Sequence, residues 1–487
     1  MTVPSYVRAQ TRQGKVPLST KIYQGIGALP EAFKGFGFGT FLLFFYSQVL
    51  GASPVLVSLA IGLTTFLDGA IDPLIGSFSD NLRTRLGRRH PLMYASILPL
   101  MLGLYLVFTP PTGLEGPGLF TWIFATTALV NFSISVFSVP WTALMAEFSD
   151  DYAERTEIVI WRYAVGWTGA LIFNFSIWTF VFPSTPAFTP GQLNPHSYGV
   201  FAPVLAVAAG LAVLLTTQLT RREIPFLVQP THIAPFGVRR TLSELFSMLS
   251  NRDFLVLFVG ALITACIGGT VASLGTYTST YFWGLAPAQL RWFSLAVVGA
   301  VLAFVTLPML QRHFDKKTLL IAAFGLALVD GVTIIGLRLL DVLPANGTET
   351  LFAILVTNQV LRTYLDTILG VMFVSMMADS LDFQELRTGR RQEGMFAAAL
   401  SFSTKATAGI GVFVAGLVLQ NLIRWPAKGH AGPVDPEAII RLGLVAGVMV
   451  PLFYIIPLCT GFLYRITREQ HADIRRQVEA RRAAAEV

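Results

Sequence analysis

Phe66-Leu67-Asp68-Gly69-Ala70-Ile71-Asp72-Pro73-Leu74-Ile75-Gly76 leads on to Asp80 and then into Arg83-Thr84-Arg85-Leu86-Gly87-Arg88-Arg89. Two carboxylates stand four residues apart inside an otherwise apolar segment, and a cluster of arginines closes it. Ionisable groups within such a segment are costly, which marks them as functional candidates. On a helix Asp68 and Asp72 share a face, about 6 Å apart. Two like charges that close in a low dielectric call for a counter-charge, a shared proton or a bound cation. Permanent pairing with arginines of another helix is the bland alternative. No arginine lies in the first three apolar runs above the basic cap, which favours the cation.

The rest of the chain describes what surrounds this pair. Of 487 residues, 53% are hydrophobic and 13% charged. A soluble domain averages roughly 25% charged residues, and the mean hydropathy here is +0.62. A polytopic membrane protein is therefore predicted. Twelve runs reach the roughly 20 residues a bilayer core demands: 22–50, 54–79, 92–110, 118–146, 158–183, 199–219, 253–283, 289–311, 318–338, 350–378, 394–422 and 438–464. The net charge of +7 gathers between these runs and at the tail, which is a membrane orientation signal and not a nucleic-acid face. The connections near 51–53, 111–117, 184–198 and 284–288 carry no Lys or Arg. Only 423–437, with Arg424 and Lys428, breaks the alternation. Both termini are thereby expected in the cytoplasm. Residues 1–20 lack the apolar core of a cleaved signal peptide. Cys266 and Cys459 lie in apolar runs without metal-ligand spacing and read as packed thiols.

Four parts are predicted: a six-helix bundle over 1–219, a cytoplasmic linker over 220–252 with an amphipathic helix from Thr241 to Ser250, a second six-helix bundle over 253–464, and a cytoplasmic tail over 465–487. An internal echo supports two halves. Asp80 precedes Gly87-Arg88-Arg89, and Asp379 and Asp382 precede Gly389-Arg390-Arg391. Repeated halves are the mark of secondary transporters with a midplane site.

Other charges fall within the apolar runs. Glu31 and Lys34 lie on one face and can pair with each other or meet a substrate. Ser133, Ser135 and Ser138 recur before Pro140-Trp141; such hydroxyls complete an oxygen shell or bond their own backbone. Trp141 is a stacking platform or a packing residue. Arg162 can reach inward with a planar fork. Arg362 and Asp366 form an internal ion pair or a substrate contact. Lys405 is deep among small residues and is matched across the halves to the acidic pair. Asp330 receives no role. No phosphate loop, His-based metal site or nucleophile elbow is present, so neither an enzyme nor a cofactor is expected.

Asp68-x-x-x-Asp72-Pro-x-x-Gly-x-x-x-Asp with Gly-Arg-Arg-x-Pro resembles the second-helix signature of the glycoside–pentoside–hexuronide:cation symporters, a branch of the major facilitator superfamily typified by melibiose permease. Ala378-Asp379-x-x-Asp382 with Gly389-Arg390 is similar to that family's signature after helix ten. The resemblance runs from Gly25 to about Leu422. It implies an all-α fold of two pseudo-symmetric six-helix bundles and cation-coupled (Na⁺ or H⁺) import of a glycoside or related solute by alternating access. It assigns Asp68, Asp72, Ser135 and Lys405 to the cation site, with Asp68 and Asp72 as metal ligands if sodium couples, and Arg162 to the solute pocket. It implies an inner bacterial membrane and a monomer whose partners are substrate, cation and lipid. Ala32 and Ser138 stand where the melibiose branch has sugar-gripping acids, so a galactoside is disfavoured and a lysolipid or other amphiphile stays open, as does uncoupled facilitation. Glu31, Lys34, Ser138, Trp141, Arg162, Arg362 and Asp366 are the expected substrate residues. Asp80, Arg83, Arg85, Arg88, Arg89, Asp379, Asp382, Arg390 and Arg391 are the expected inner gate.

Overall fold

The computed structural model describes residues 6, 7, 12, 14–149, 151–227, 229, 230, 252–388, 393–426 and 434–465, with scattered positions between 469 and 477. Arg390, Arg391 and the amphipathic helix expected at 241–250 lie outside them, and Asp382 is described only as helical backbone.

The chain is helical almost throughout, because a backbone in lipid satisfies its polar groups only internally. The first apolar run is broken at Gly27-Ala28 into α1 (Leu18–Ile26) and α2 (Leu29–Phe36), and π-helical turns carry it on to Val49. Next come α3 (Pro54–Asn81), α4 (His90–Val107), α5 (Gly116–Glu147), α6 (Tyr152–Ser176) and α7 (Pro195–Thr220). The second set is α8 (Arg252–Tyr277), α9 (Pro287–His313), α10 (Lys316–Leu339), α11 (Glu349–Thr388), α12 (Glu393–Leu417) and α13 (Pro436–Leu463). Among the described residues eleven helices are long and apolar enough to cross a membrane. The first run is the twelfth expected span, and its break and its Glu31 and Lys34 set it apart.

Two compact units result. One holds the described residues up to 230 with Ala286–Arg291; the other holds 252–285, 292–426 and 434–465. Within the first, α3 packs on α5, α4 on α5 and α7, and α1 on α6 and α7. Within the second, α9 packs on α11, α10 on α11 and α13, and α8 on α12 and α13. Counting spans, the same pairs recur in each half: two with four, three with four and six, one with five and six. The π-helical turns recur likewise, at the ends of spans one, five, seven and eleven. The echo noticed after α3 and α11 is thus the surface sign of a repeat in packing.

The linker does not begin at residue 220. α7 runs directly into a tighter 3-10 stretch, Arg221–Phe226, whose Glu223 is buried and accepts from Thr20 at 2.6 Å. These residues belong to the first unit. Its core is aromatic: Phe41, Phe45, Phe108, Phe182, Tyr198 and Phe201 are all buried, with ring centroids 4.4–6.4 Å apart where they meet.

The break at Gly27 answers to Trp141. A Cβ at Gly27 would collide with the indole of Trp141, which is fully buried. Overpacking at such a contact costs about 1–3 kcal/mol. Gly27→Ala is accordingly expected to lower the melting temperature of detergent-purified protein by several degrees, whereas Gly35→Ala, with open space at its Cβ, leaves it unchanged.

Candidate cation and solute sites

α3 starts cleanly, with Ser53 capping the Leu56 N–H and Pro54 in the first turn. It aims Asp68 and Asp72 at α5 while Leu67, Leu74 and Phe78 point outward. Ser135 on α5 meets both acids: its hydroxyl oxygen lies 2.7 Å from Asp68 Oδ1 and 2.5 Å from Asp72 Oδ1, and its single proton is donated to one of them at a time. Asp68 and Ser135 are buried and Asp72 is half-buried. Each helix has a proline beside this point. Pro73 deprives the Gly69 carbonyl of its helical donor, and Pro140 does the same to Val136. Carboxylate, hydroxyl and freed carbonyl oxygens form the donor set that a hard cation takes, and equally one that shares a proton. Ser133 stays outside it, donating to Leu129 of its own helix at 2.6 Å. Among the described residues no group of three or more His, Cys, Asp or Glu side chains forms a metal cluster. A cation here would depend on two acids and neutral oxygens.

Trp141 is not an open platform. Its Nε1–H donates to the Gln24 carbonyl at 2.9 Å, and the Gln24 amide donates back to the Trp141 carbonyl at 2.9 Å. Arg162 covers its ring at 4.1 Å. A buried ring with one face taken by a guanidinium supports that arginine and stacks on no solute; the sequence alone could not show which face was covered. Glu31 is exposed and acts electrostatically on Arg162, and Lys34 lies over the Phe38 ring at 5.4 Å. Ser138 is half-buried, one turn before Trp141.

In the second unit a cavity of about 820 Å³ opens among α8, α11, α12 and Tyr454. Arg362, Asp366, Gln359 and Tyr454 give it polar groups, while Leu369, Phe373, Val374 and Met377 continue the α11 wall in apolar side chains. Arg362 acts electrostatically on Asp366, Asp330 and Tyr454. Asp330, left without a role by sequence, accepts from Asn358 Nδ2 at 2.5 Å. Asn358, Arg362 and Asp366 are spaced by four on one helix face; the sequence points to the last two as a pair, and Asn358 extends the row. Lys405 is half-buried in α12, next to the cavity-lining Thr404.

The basic cap of α3 is a buried network. Gly87 takes φ +75°, where a side chain is strained, and this turn brings Arg88 and Arg89 back over the helix end. Arg89 Nη2 lies 2.6 Å from Asp80, its Nε 3.0 Å from Glu147, and its Nη1 donates to Ser79 at 2.9 Å. Arg88 Nη2 lies 2.7 Å from Glu147. Arg83 and Arg85 are exposed. Asp379, an expected inner-gate acid, pairs with Lys316 of its own unit at 2.7 and 2.8 Å. Asp151 caps α6 through the Glu154 N–H at 2.7 Å. Sequence reading also missed a strap before α1: the Val16 N–H donates to Glu154 at 2.6 Å, and Lys21 pairs with Glu157 at 2.6 Å. Arg12 pairs with Glu223, and Tyr6–Val7 forms an antiparallel bridge with Gln229–Pro230.

A family model described as MFS/sugar transport protein matches residues 23–468. An uncharacterized symporter of Synechocystis is 25% identical, over 96% of this chain and 97% of its own. The isoprimeverose transporter of Lactiplantibacillus pentosus is 26% identical, over 78% of this chain and 75% of its own. Among solved structures, a bacterial homologue of the human drug peptide transporters PepT1 and PepT2 aligns over 94% of this chain and 99% of its own with a TM-score of 0.63. At 12% identity that likeness speaks to fold alone. With the family model covering nearly its whole length and the transporter fold shared, this multi-pass membrane protein belongs to the MFS/sugar transport protein family, in the branch that its signatures resemble, the glycoside–pentoside–hexuronide:cation symporters.

Proposed function

We propose that the chain is a cation-coupled symporter importing a glycoside or related small organic solute by alternating access. The observation that carries this reading is the Ser135 hydroxyl bridging Asp68 and Asp72. Na⁺ or H⁺ binds that set of oxygens and relieves the repulsion of two carboxylates in low dielectric. Within the first unit Arg162, held flat by Trp141, takes solute hydroxyls or a solute carboxylate with Glu31, Lys34 and Ser138; within the second, Arg362 and Asp366 offer polar groups to the cavity they line. The Asp80–Arg88–Arg89–Glu147 network latches the inner end of the first unit, and Lys316–Asp379 that of the second. The protein works as a monomer in a bacterial inner membrane, with both termini cytoplasmic.

A ligand-stability screen tests the substrate class. Purified protein is melted against sugars, glycosides, uronates and lysolipids, with and without Na⁺ and across pH. A glycoside or uronate that stabilises more strongly with the cation is the expected result; stabilisation by none of them overturns the solute assignment. A second reading, transport of an amphiphile, is favoured by the apolar α11 wall at Leu369, Phe373, Val374 and Met377. Cation-enhanced stabilisation by the lysolipid alone selects it.

A further inference from the structure

The cavity of the second unit carries a charge imbalance that the coupling site at Asp68 and Asp72 does not explain. Asp366 and Arg362 both line it, and Asp330 and Asp366 both lie in the electrostatic field of Arg362, so two carboxylates face one guanidinium. These groups sit on α10 and α11, well inside spans of apolar sequence. Uncompensated charge there is expensive, and intramembrane acids of this kind mark proton or ion paths.

The two acids differ in setting. Asp330 accepts from the Asn358 amide at 2.5 Å, and a donor of that kind stabilises the ionised form. Asp366 stands on the wall of the cavity of about 820 Å³, where its side chain reaches open space. Among the described residues, the elements around Asp366 bring few other charges to it. On its own helix, Arg362 lies one turn away. α10 offers Asp330, and Tyr454, which precedes the last turns of α13, offers a phenol. α8 presents Thr264 and small apolar residues to the cavity. α9 engages the other face of α11, where Thr306 meets Tyr364 at 3.1 Å. α12 presents Thr404, with Lys405 next in sequence.

We propose that Asp366 binds an exchangeable proton, so that the second unit holds an ion site of its own, separate from Asp68 and Asp72. A proton from hydronium in the cavity adds to the Asp366 carboxylate, leaving water and a neutral acid. Arg362 is then balanced by Asp330 alone. Loss of the proton returns Arg362 to a position shared between two carboxylates. The site therefore switches the partner of one arginine between α10 and its own helix face.

Infrared difference spectroscopy on the purified full-length chain, titrated with pH in the absence of any solute, reads this directly through the carbonyl stretch of protonated carboxylic acids. Asp68 and Asp72 could contribute their own band, so the measurement is made in the Asp68→Asn/Asp72→Asn double variant. The expected result is that the titration of the double variant minus that of the same variant with Asp366→Asn added leaves a reversible acid band, which shifts in frequency when Asp366→Glu takes its place. A titration unchanged by Asp366→Asn overturns the proposal. Should Asp366→Asn fail to fold, the glutamate variant decides: an unshifted band is equally fatal. A failed coupling site at Asp68 and Asp72 would leave this outcome untouched, because both acids are already removed.

Discussion

In vesicles energised with Na⁺ or a proton gradient, Asp68→Asn and Asp72→Asn are each expected to abolish cation-driven accumulation of solute. Both carboxylates lean on one hydroxyl, at 2.7 and 2.5 Å, so they face a common point between α3 and α5. Removing one removes a full charge from a site with few donors, and ligand charge count is what tunes affinity for a hard cation. A fall in cation affinity of at least about 100-fold is expected for either variant. Ser135→Ala should be milder. It deletes a hydrogen bond to a charged group, worth about 1.5–3 kcal/mol, which corresponds to roughly a 10- to 100-fold loss. Ser133→Ala, whose hydroxyl bonds its own helix, serves as the control and should change nothing. Calorimetric titration of purified protein with Na⁺ and acid measures the affinities, and flux in vesicles measures the coupling. Undiminished cation stimulation in both aspartate variants would remove the basis for the site. Normal equilibration of solute without accumulation in the wild type would instead point to uncoupled facilitation.

The second large effect is expected at Arg89. This arginine is 6% exposed and holds Asp80, Glu147 and Ser79 at once, while Glu147 is 9% exposed. Truncating one partner of a buried ion pair costs about 3–5 kcal/mol where the other is left uncompensated; here Arg88 still pairs with Glu147 and Asp80 is exposed, so the loss falls below that range. Arg89→Ala should still depress the melting temperature clearly. Glu147→Gln should cost less, because the amide still accepts from Arg88 or Arg89. A double-mutant cycle of Arg89→Ala with Glu147→Ala is expected to show strong coupling. Arg83→Ala, at an exposed position in the same turn, should stay within about 0.5 kcal/mol of wild type. Equal effects of Arg83→Ala and Arg89→Ala would reduce the cluster to a topology signal.

The architecture was legible because lipid imposes long apolar runs and loops whose Lys and Arg content alternates. Asp68 and Asp72 could be placed on one face from helical spacing alone, and Ser135 was matched to them through resemblance to a symporter family. What the sequence hid depended on packing between distant segments. Nothing in Trp141 foretold that Arg162 would cover its ring, or that Gly27 would break the first span to make room for it. The partner of Asp330, Asn358, lies on the next span and is invisible to hydropathy. Asp379 was placed in the gate by its motif, which could not point to Lys316 at the start of α10 as a partner. The linker was begun at 220 on basic residues that are indeed exposed, Arg221 and Arg222, but Glu223 beside them is buried beneath the strap.

That strap has a consequence for biogenesis. Residues in and before α1 are tied to groups made later in translation: Val16 and Lys21 to Glu154 and Glu157 of the fifth span, Arg12 and Thr20 to Glu223, and the backbone of Tyr6–Val7 to Gln229–Pro230. The N-terminal segment therefore has no complete docking surface until the sixth span has left the ribosome. Its closure reports that the first bundle is complete, and it does so just as synthesis reaches the connection to the second. A nascent chain stalled after α7 would expose its N-terminal segment to protease if Glu223 had not yet emerged, and would protect it once residues 223–230 were out.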